Sequence, residues 1–135
     1  MTEPGDVLDD LAQVSFVVMA KLSQVAAAHE LSLTQLRVLG ILRDRTPKMA
    51  ELATHLGLDR SSVSGLIDRA AKRGLVSRQA NREDGRSVRV ALTPEGQALA
   101  RELTAEVAAL LAPLTADFGA ADRNRLGVLL SRMLA

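Results

Sequence analysis

Apolar residues recur every three or four positions along almost all of the 135-residue chain, and the spacing changes to alternation only on the two sides of Asp84-Gly85. A helix brings positions i, i+3 and i+4 onto one face, whereas a strand brings i and i+2 together. The pattern therefore predicts a helical body carrying a single hairpin. At this length one domain is expected, and the apolar fraction of 47% is sufficient for a core. Phe16 and Phe118 are the only aromatics, so aliphatic side chains must do the packing.

Leu8, Leu11, Val14 or Ser15, Val18, Leu22 and Val25 outline a first helix from about residue 6 to 29. Ser32 and Gln35 have the spacing of a capping box, in which hydroxyl and amide satisfy orphan backbone N–H groups, and Leu36, Leu39, Ile41 and Leu42 follow to about Arg43. Thr46-Pro47 interrupts. Met49, Leu52, Ala53 and Leu56 then mark a short helix that Gly57 can end in a left-handed conformation. Asp59 is an N-cap for a helix at about 59–73 whose stripe is Val63, Leu66, Ile67 and Ala70. Arg60, Ser61, Ser62, Ser64, Gly65, Asp68, Arg69 and Lys72 must then face away from that stripe.

Two short helices joined by Gly57-Leu58-Asp59 have the form of a helix-turn-helix. The alternating segments at about 75–92, with their Asp-Gly turn, form a wing after it. Thr93-Pro94 opens another long helix with Leu99, Leu103, Val107, Leu110, Leu111 and Leu114 on its stripe; Pro113 and Gly119 end it, and Leu126, Leu129, Leu130 and Met133 define a last one. The fold class expected is mainly α, an α+β winged helix in the order α-α-α-α-β-β-α-α.

The formal net charge of +1 conceals an uneven distribution. Between Arg43 and Arg89 lie eleven basic and six acidic residues, a balance of +5, and the remainder carries −4. A basic centre between acidic ends points to a polyanion as partner. The serines and arginines on the outer face of the 59–73 helix suit a recognition helix, because small side chains admit the backbone to a groove floor and Arg can donate two bonds to guanine. Arg82, Arg86 and Arg89 crowd the wing. A guanidinium at its tip could enter a narrow minor groove, with Asp84 orienting Arg86, while Arg89 either reaches a phosphate or is simply solvated.

At this point the chain resembles the MarR-type winged-helix transcription regulators. The resemblance rests on LTQLRVLGIL, MAELATHLGLDRSSVSGLIDRAAKRGLVSR and DGRSVRVALTPEG with amphipathic helices at both ends. It implies a homodimer whose terminal helices, 6–29 and 95–135, interlock, while the winged unit of 32–93 binds double-stranded DNA at a pseudo-palindromic operator, with repression as the expected output. It also implies base or phosphate contacts from Arg60, Ser61, Ser62, Ser64 and Arg69, and a wing contact from Arg86 supported by Asp84. Independently, the long stripes at both ends exceed what a small winged core can cover. A small-molecule effector is a family trait; without Tyr or Trp, an aliphatic effector or none is expected here. A winged module kept for protein contacts is the alternative.

Other functions find little support. Without cysteine there is no disulfide, thiolate metal site or thiol redox sensor. His29 and His55 lack clustered ligand spacing, so neither metal nor cofactor is expected, and both read as helix-end or helix-surface residues. His55 with Asp59 is a helix terminus and its neighbouring cap rather than a catalytic pair, so no enzyme is expected. No uninterrupted apolar run reaches the roughly 18 residues of a membrane span. A soluble cytoplasmic protein without a membrane partner is the expectation.

Overall fold

The computed structural model describes residues 5–80, 83 and 85–135. Four helices come first: α1 (Val7–Ala28), α2 (Leu33–Asp44), α3 (Met49–Leu56) and α4 (Arg60–Lys72). Strands β1 (Val76–Ala80) and β2 (Val88–Leu92) precede α5 (Pro94–Leu111), a 3-10 turn (Ala112–Thr115) and α6 (Ala120–Leu134). The mainly helical winged architecture matches the sequence expectation. Its start signals operate as read: Ser32 accepts from the Gln35 N–H while the Gln35 amide accepts from the Ser32 N–H, and Gly57 closes α3 at φ 66°.

The core lies where α2, α3, α4 and the hairpin meet. Leu39, Leu52, Val63, Ile67 and Val90 are its most deeply enclosed large side chains. All four residues of the predicted α4 stripe are buried, so the opposite face of that helix is turned outward by the same packing. The hairpin pairs antiparallel, with Val76 opposite Leu92 and Ala80 opposite Val88. Its outer edge gains one position that the sequence pattern hides. Lys48 bridges to Arg89, and the Val90 N–H donates to the Pro47 carbonyl at 2.9 Å. Proline has no N–H to offer, but its carbonyl can still extend a sheet edge. The Thr46-Pro47 interruption is thus also a strand anchor.

A clasp fastens the hairpin to α5. Thr93 donates its N–H to the Leu75 carbonyl (3.0 Å) and its hydroxyl to the Gly74 carbonyl (2.5 Å), and its Oγ1 accepts from the Gly96 N–H (3.0 Å). These bonds draw the first turn of α5 against the end of α4. A Cβ built on Gly96 would lie 1.9 Å from the Leu75 carbonyl oxygen, which is backbone and cannot rotate away. Only glycine fits there.

The terminal helices are built differently. α1 packs on α2 and α5, yet buries only Val25 and Ala26, and α6 buries no residue. Leu8 is 73% exposed, Phe16 64% and Val128 61%, so both ends of the chain present apolar side chains that the winged lobe does not cover. α1, 22 residues long with an 18-residue window of mean hydropathy 1.4, is long and apolar enough to cross a membrane by length and composition, a test that core helices of soluble proteins also pass. Single polar residues, such as Gln13, Ser15 and Lys21, punctuate the segment, so no uninterrupted apolar run reaches span length.

Gly96→Ala is expected to destabilise the protein by about 1–3 kcal/mol, the usual cost of overpacking a tight contact. Urea unfolding followed by circular dichroism measures it; an unchanged midpoint would mean that α5 can move off Leu75 freely.

Candidate nucleic-acid interface

Of the residues predicted to meet DNA and described, Arg60, Ser61, Ser62, Arg69, Lys72 and Arg86 are exposed, whereas Ser64 and Arg89 are half-buried. Asp59 caps α4 by accepting from the Ser62 N–H at 2.8 Å, and the Ser61 hydroxyl donates to the same carboxylate at 2.7 Å. These bonds, the backbone one first, hold the Asp59 carboxyl below its ordinary range. The Ser61 hydroxyl therefore has its proton engaged and keeps only its lone pairs for another partner. Ser62 is exposed and Ser64 half-buried beside Gly65. A Cβ on Gly65 would sit 3.4 Å from Arg69 Nη1, showing that the guanidinium lies back along the helix over the bare glycine.

The arginines divide into two groups, a division that counting charges cannot make. Several are committed to the fold. Arg78 pairs with Asp68 at 2.5 Å, tying β1 to α4. Arg43 bonds Asp44 and donates to Thr104 Oγ1, joining α2 to α5. Arg73 donates to the carbonyls of His29 and Glu30 at 3.0 and 3.1 Å. Arg89, left open between phosphate contact and solvation, donates to the Thr46 carbonyl at 2.8 Å and steadies the segment that edges the sheet. Arg60, Arg69 and Lys72, by contrast, are exposed on α4 and have no hydrogen bond or ion pair among the described residues. Arg86 is exposed in the turn of the wing. Arg82 and Asp84 lie outside the described residues, and with them the proposed support of Arg86 by Asp84.

The two histidines part company. His55 accepts from Arg45 Nη1 at 3.2 Å through Nε2, because a guanidinium can only donate, so its ring proton sits on Nδ1. His29 meets Glu106 across 77 positions of sequence, and Glu102 stands one turn before Glu106. The sequence reading found no clustered ligand set for His29; the fold assembles one from residues far apart in the chain. No spacing rule within a single segment could have found it.

A broad groove of about 990 Å³ runs beneath α1, between α2 and α5, with Leu22, Ile41, Leu103 and Val107 on its walls and Arg37, Arg45 and His55 around it. None of its lining residues is Phe, Tyr or Trp.

Comparison with known proteins agrees with this geometry. The MarR family model matches residues 29–87. The HTH-type transcriptional regulator YfiV of Bacillus subtilis is 37% identical over 73 residues, which cover 53% of the chain and 46% of YfiV. The chain therefore aligns with about half of that relative's length. Among solved structures, MarR of E. coli superposes with a TM-score of 0.81 at 25% identity, covering 99% of this chain and 100% of that one. NadR in complex with 4-hydroxyphenylacetate gives a TM-score of 0.80 at 25% identity over 98% of this chain and 95% of its own.

The Asp59 cap yields a prediction with a definite sign. Because folding lowers this carboxyl's pKa, its stabilisation is complete above the unfolded value near 3.8 and is lost as pH falls through the folded value. Asp59→Ala is therefore expected to lower Tm at pH 7, and the gap from wild type should narrow in melts at pH 3. A gap of constant size would show that the ionised carboxylate is not what caps α4.

Proposed function

We propose that the chain is a member of the MarR family and a sequence-specific DNA-binding transcriptional regulator, not an enzyme, that works in the cytoplasm as a homodimer on a pseudo-palindromic operator; the family model over residues 29–87 and the likeness to MarR of E. coli support this reading. The observation that carries the reading is the set of uncommitted cations on α4. Arg60, Arg69 and Lys72 face outward from a helix fixed by four buried residues, and Arg86 stands on the neighbouring wing. Cations without protein partners are the ones that can replace counterions on phosphate. The helix N-terminus adds positive potential at Ser61 and Ser62.

α4 acts as the recognition helix. Ser62, Ser64 and Arg69 address base edges, Arg60 and Lys72 address phosphates, and Ser61 contributes as an acceptor or through its backbone. Arg86 enters the minor groove from the wing, with Arg82 and Asp84 beside it in sequence. Arg89 acts on the DNA indirectly, by holding the sheet edge through Thr46. In the dimer, the apolar faces of α1 and α6 cover one another and the two copies of α4 stand one helical turn apart, about 34 Å. Occupancy of an operator by such a pair favours repression.

The groove under α1 is the natural place for a small effector. NadR was solved with 4-hydroxyphenylacetate, an aromatic acid. Here the walls are largely aliphatic and Arg37, Arg43 and Arg45 lie around the groove, Arg43 paired with Asp44, which suits an acid with an aliphatic body. Such a ligand would wedge between α2 and α5 and alter the spacing of the two lobes, relieving repression.

Titration of a fluorescent operator duplex at several salt concentrations tests the DNA reading. Log K should fall linearly with log salt, and Arg86→Ala should reduce the slope by about 1. Arg69→Ala should cost about 1–3 kcal/mol at the preferred operator and flatten the preference among operator variants. Salt-independent binding, or none, would contradict the proposal and leave the surface to a protein partner. Gly65→Ala separates groove approach from helix integrity: it should raise Tm, since alanine favours a helix by up to about 1 kcal/mol, yet weaken DNA binding. Equal or tighter DNA binding by the stabilised variant would rule out close approach at Gly65.

A further inference from the structure

We propose that His29, Glu102 and Glu106 form a binding site for a divalent first-row transition-metal ion, with zinc the best match to one imidazole and two carboxylates. The three side chains come from two elements. His29 is the C-cap of α1, and Glu102 and Glu106 are four residues apart on α5, which places them on one face. One ligand atom from each lies within 4.8 Å of the others, with His29 Nε2 against Glu106 Oε2. Tetrahedral coordination bonds of about 2.0–2.2 Å set donors roughly 3.4 Å apart, so His29 Nε2 and Glu106 Oε2 would part slightly to admit the ion, and Glu102, whose side chain is exposed, has the freedom to swing in.

A plain helix clip would not need this arrangement. The contact between His29 and Glu106 alone joins α1 to α5, and Glu102 adds nothing to it except a second negative charge one turn away. Carboxylates four apart on a helix repel. A divalent cation reverses the sign of that interaction. The C-terminal end of α1 adds its own negative potential at the same place.

The backbone is also held as a ligand site requires. Glu30 takes a left-handed φ of 58° directly after His29, and Arg73, at the end of α4, donates to the carbonyls of both residues. The imidazole is thus presented by a turn fixed from two sides. The same two bonds connect the site to the last turn of α4. An ion drawing His29 toward α5 pulls on the turn that Arg73 grips, so the metal would bias the position of α4 relative to α1 and α5.

The test uses the full chain without a histidine tag and in the absence of DNA, so that its result stands apart from the DNA reading. Equilibrium dialysis against zinc, with cobalt as the optical probe, should give one ion per chain and a visible cobalt spectrum. Glu102→Gln should weaken binding by at least about tenfold, since even residues behind the ligands of a metal site change affinity by 10–100-fold. Glu102 makes no bond to His29 in the structure and repels Glu106, so this variant should keep or slightly raise its metal-free Tm. His29→Gln should abolish the cobalt bands, and His55→Ala should leave them unchanged. Failure of wild type to bind zinc at micromolar concentrations, equal binding by Glu102→Gln, or loss in His55→Ala would each overturn the proposal.

Discussion

Leu39, Leu52, Val63, Ile67 and Val90 interlock where α2, α3, α4 and the hairpin converge, and the orientation of the charged face of α4 follows from that packing. An α4 whose four apolar residues are buried has one rotational setting about its axis. Arg60, Arg69 and Lys72 are outward because Val63 and Ile67 are inward. The Thr93 clasp carries the same constraint into α5, since the approach of Gly96 to the Leu75 carbonyl sets where that helix begins. A single small core thereby fixes both the basic surface and the stem of the long terminal helices.

Local signals in the sequence were enough for the elements. The Ser32 to Gln35 box, Gly57, the Asp59 cap and the Thr93-Pro94 start all depend on groups within four residues of one another, and each is found where its chemistry places it. Contacts between distant segments were not legible. Arg78 and Asp68, Arg73 and the turn at His29, and Arg89 and Thr46 join positions ten to forty-four residues apart. A count of basic residues therefore overstated the charge available to a ligand, because it could not separate arginines that brace the fold from those that do not. Gly96 shows the same limit in reverse: the sequence motif is visible, but its reason is a carbonyl twenty-one residues earlier.

The terminal helices raise the remaining question of what covers them. Both aromatics, Phe16 at 64% and Phe118 at 39% exposure, lie outside the core in segments flanking the winged lobe. The chain bends by 118° between the α5 arm and α6, so the C-terminal helix turns away from α5 instead of extending it. In the proposed homodimer, the apolar stripes at both ends of the chain, on helices that the lobe leaves bare, cover their counterparts in a second copy. Pairing through them gives two lobes related by a two-fold axis, which is the symmetry of a pseudo-palindromic duplex.

Sedimentation equilibrium of the free protein across micromolar concentrations tests that pairing most directly. With a chain mass of 14.4 kDa, the account predicts a species of twice that mass, reduced to the single-chain value by charged substitutions at Leu11 and Leu130. A wild-type protein sedimenting as one chain throughout the range would contradict it.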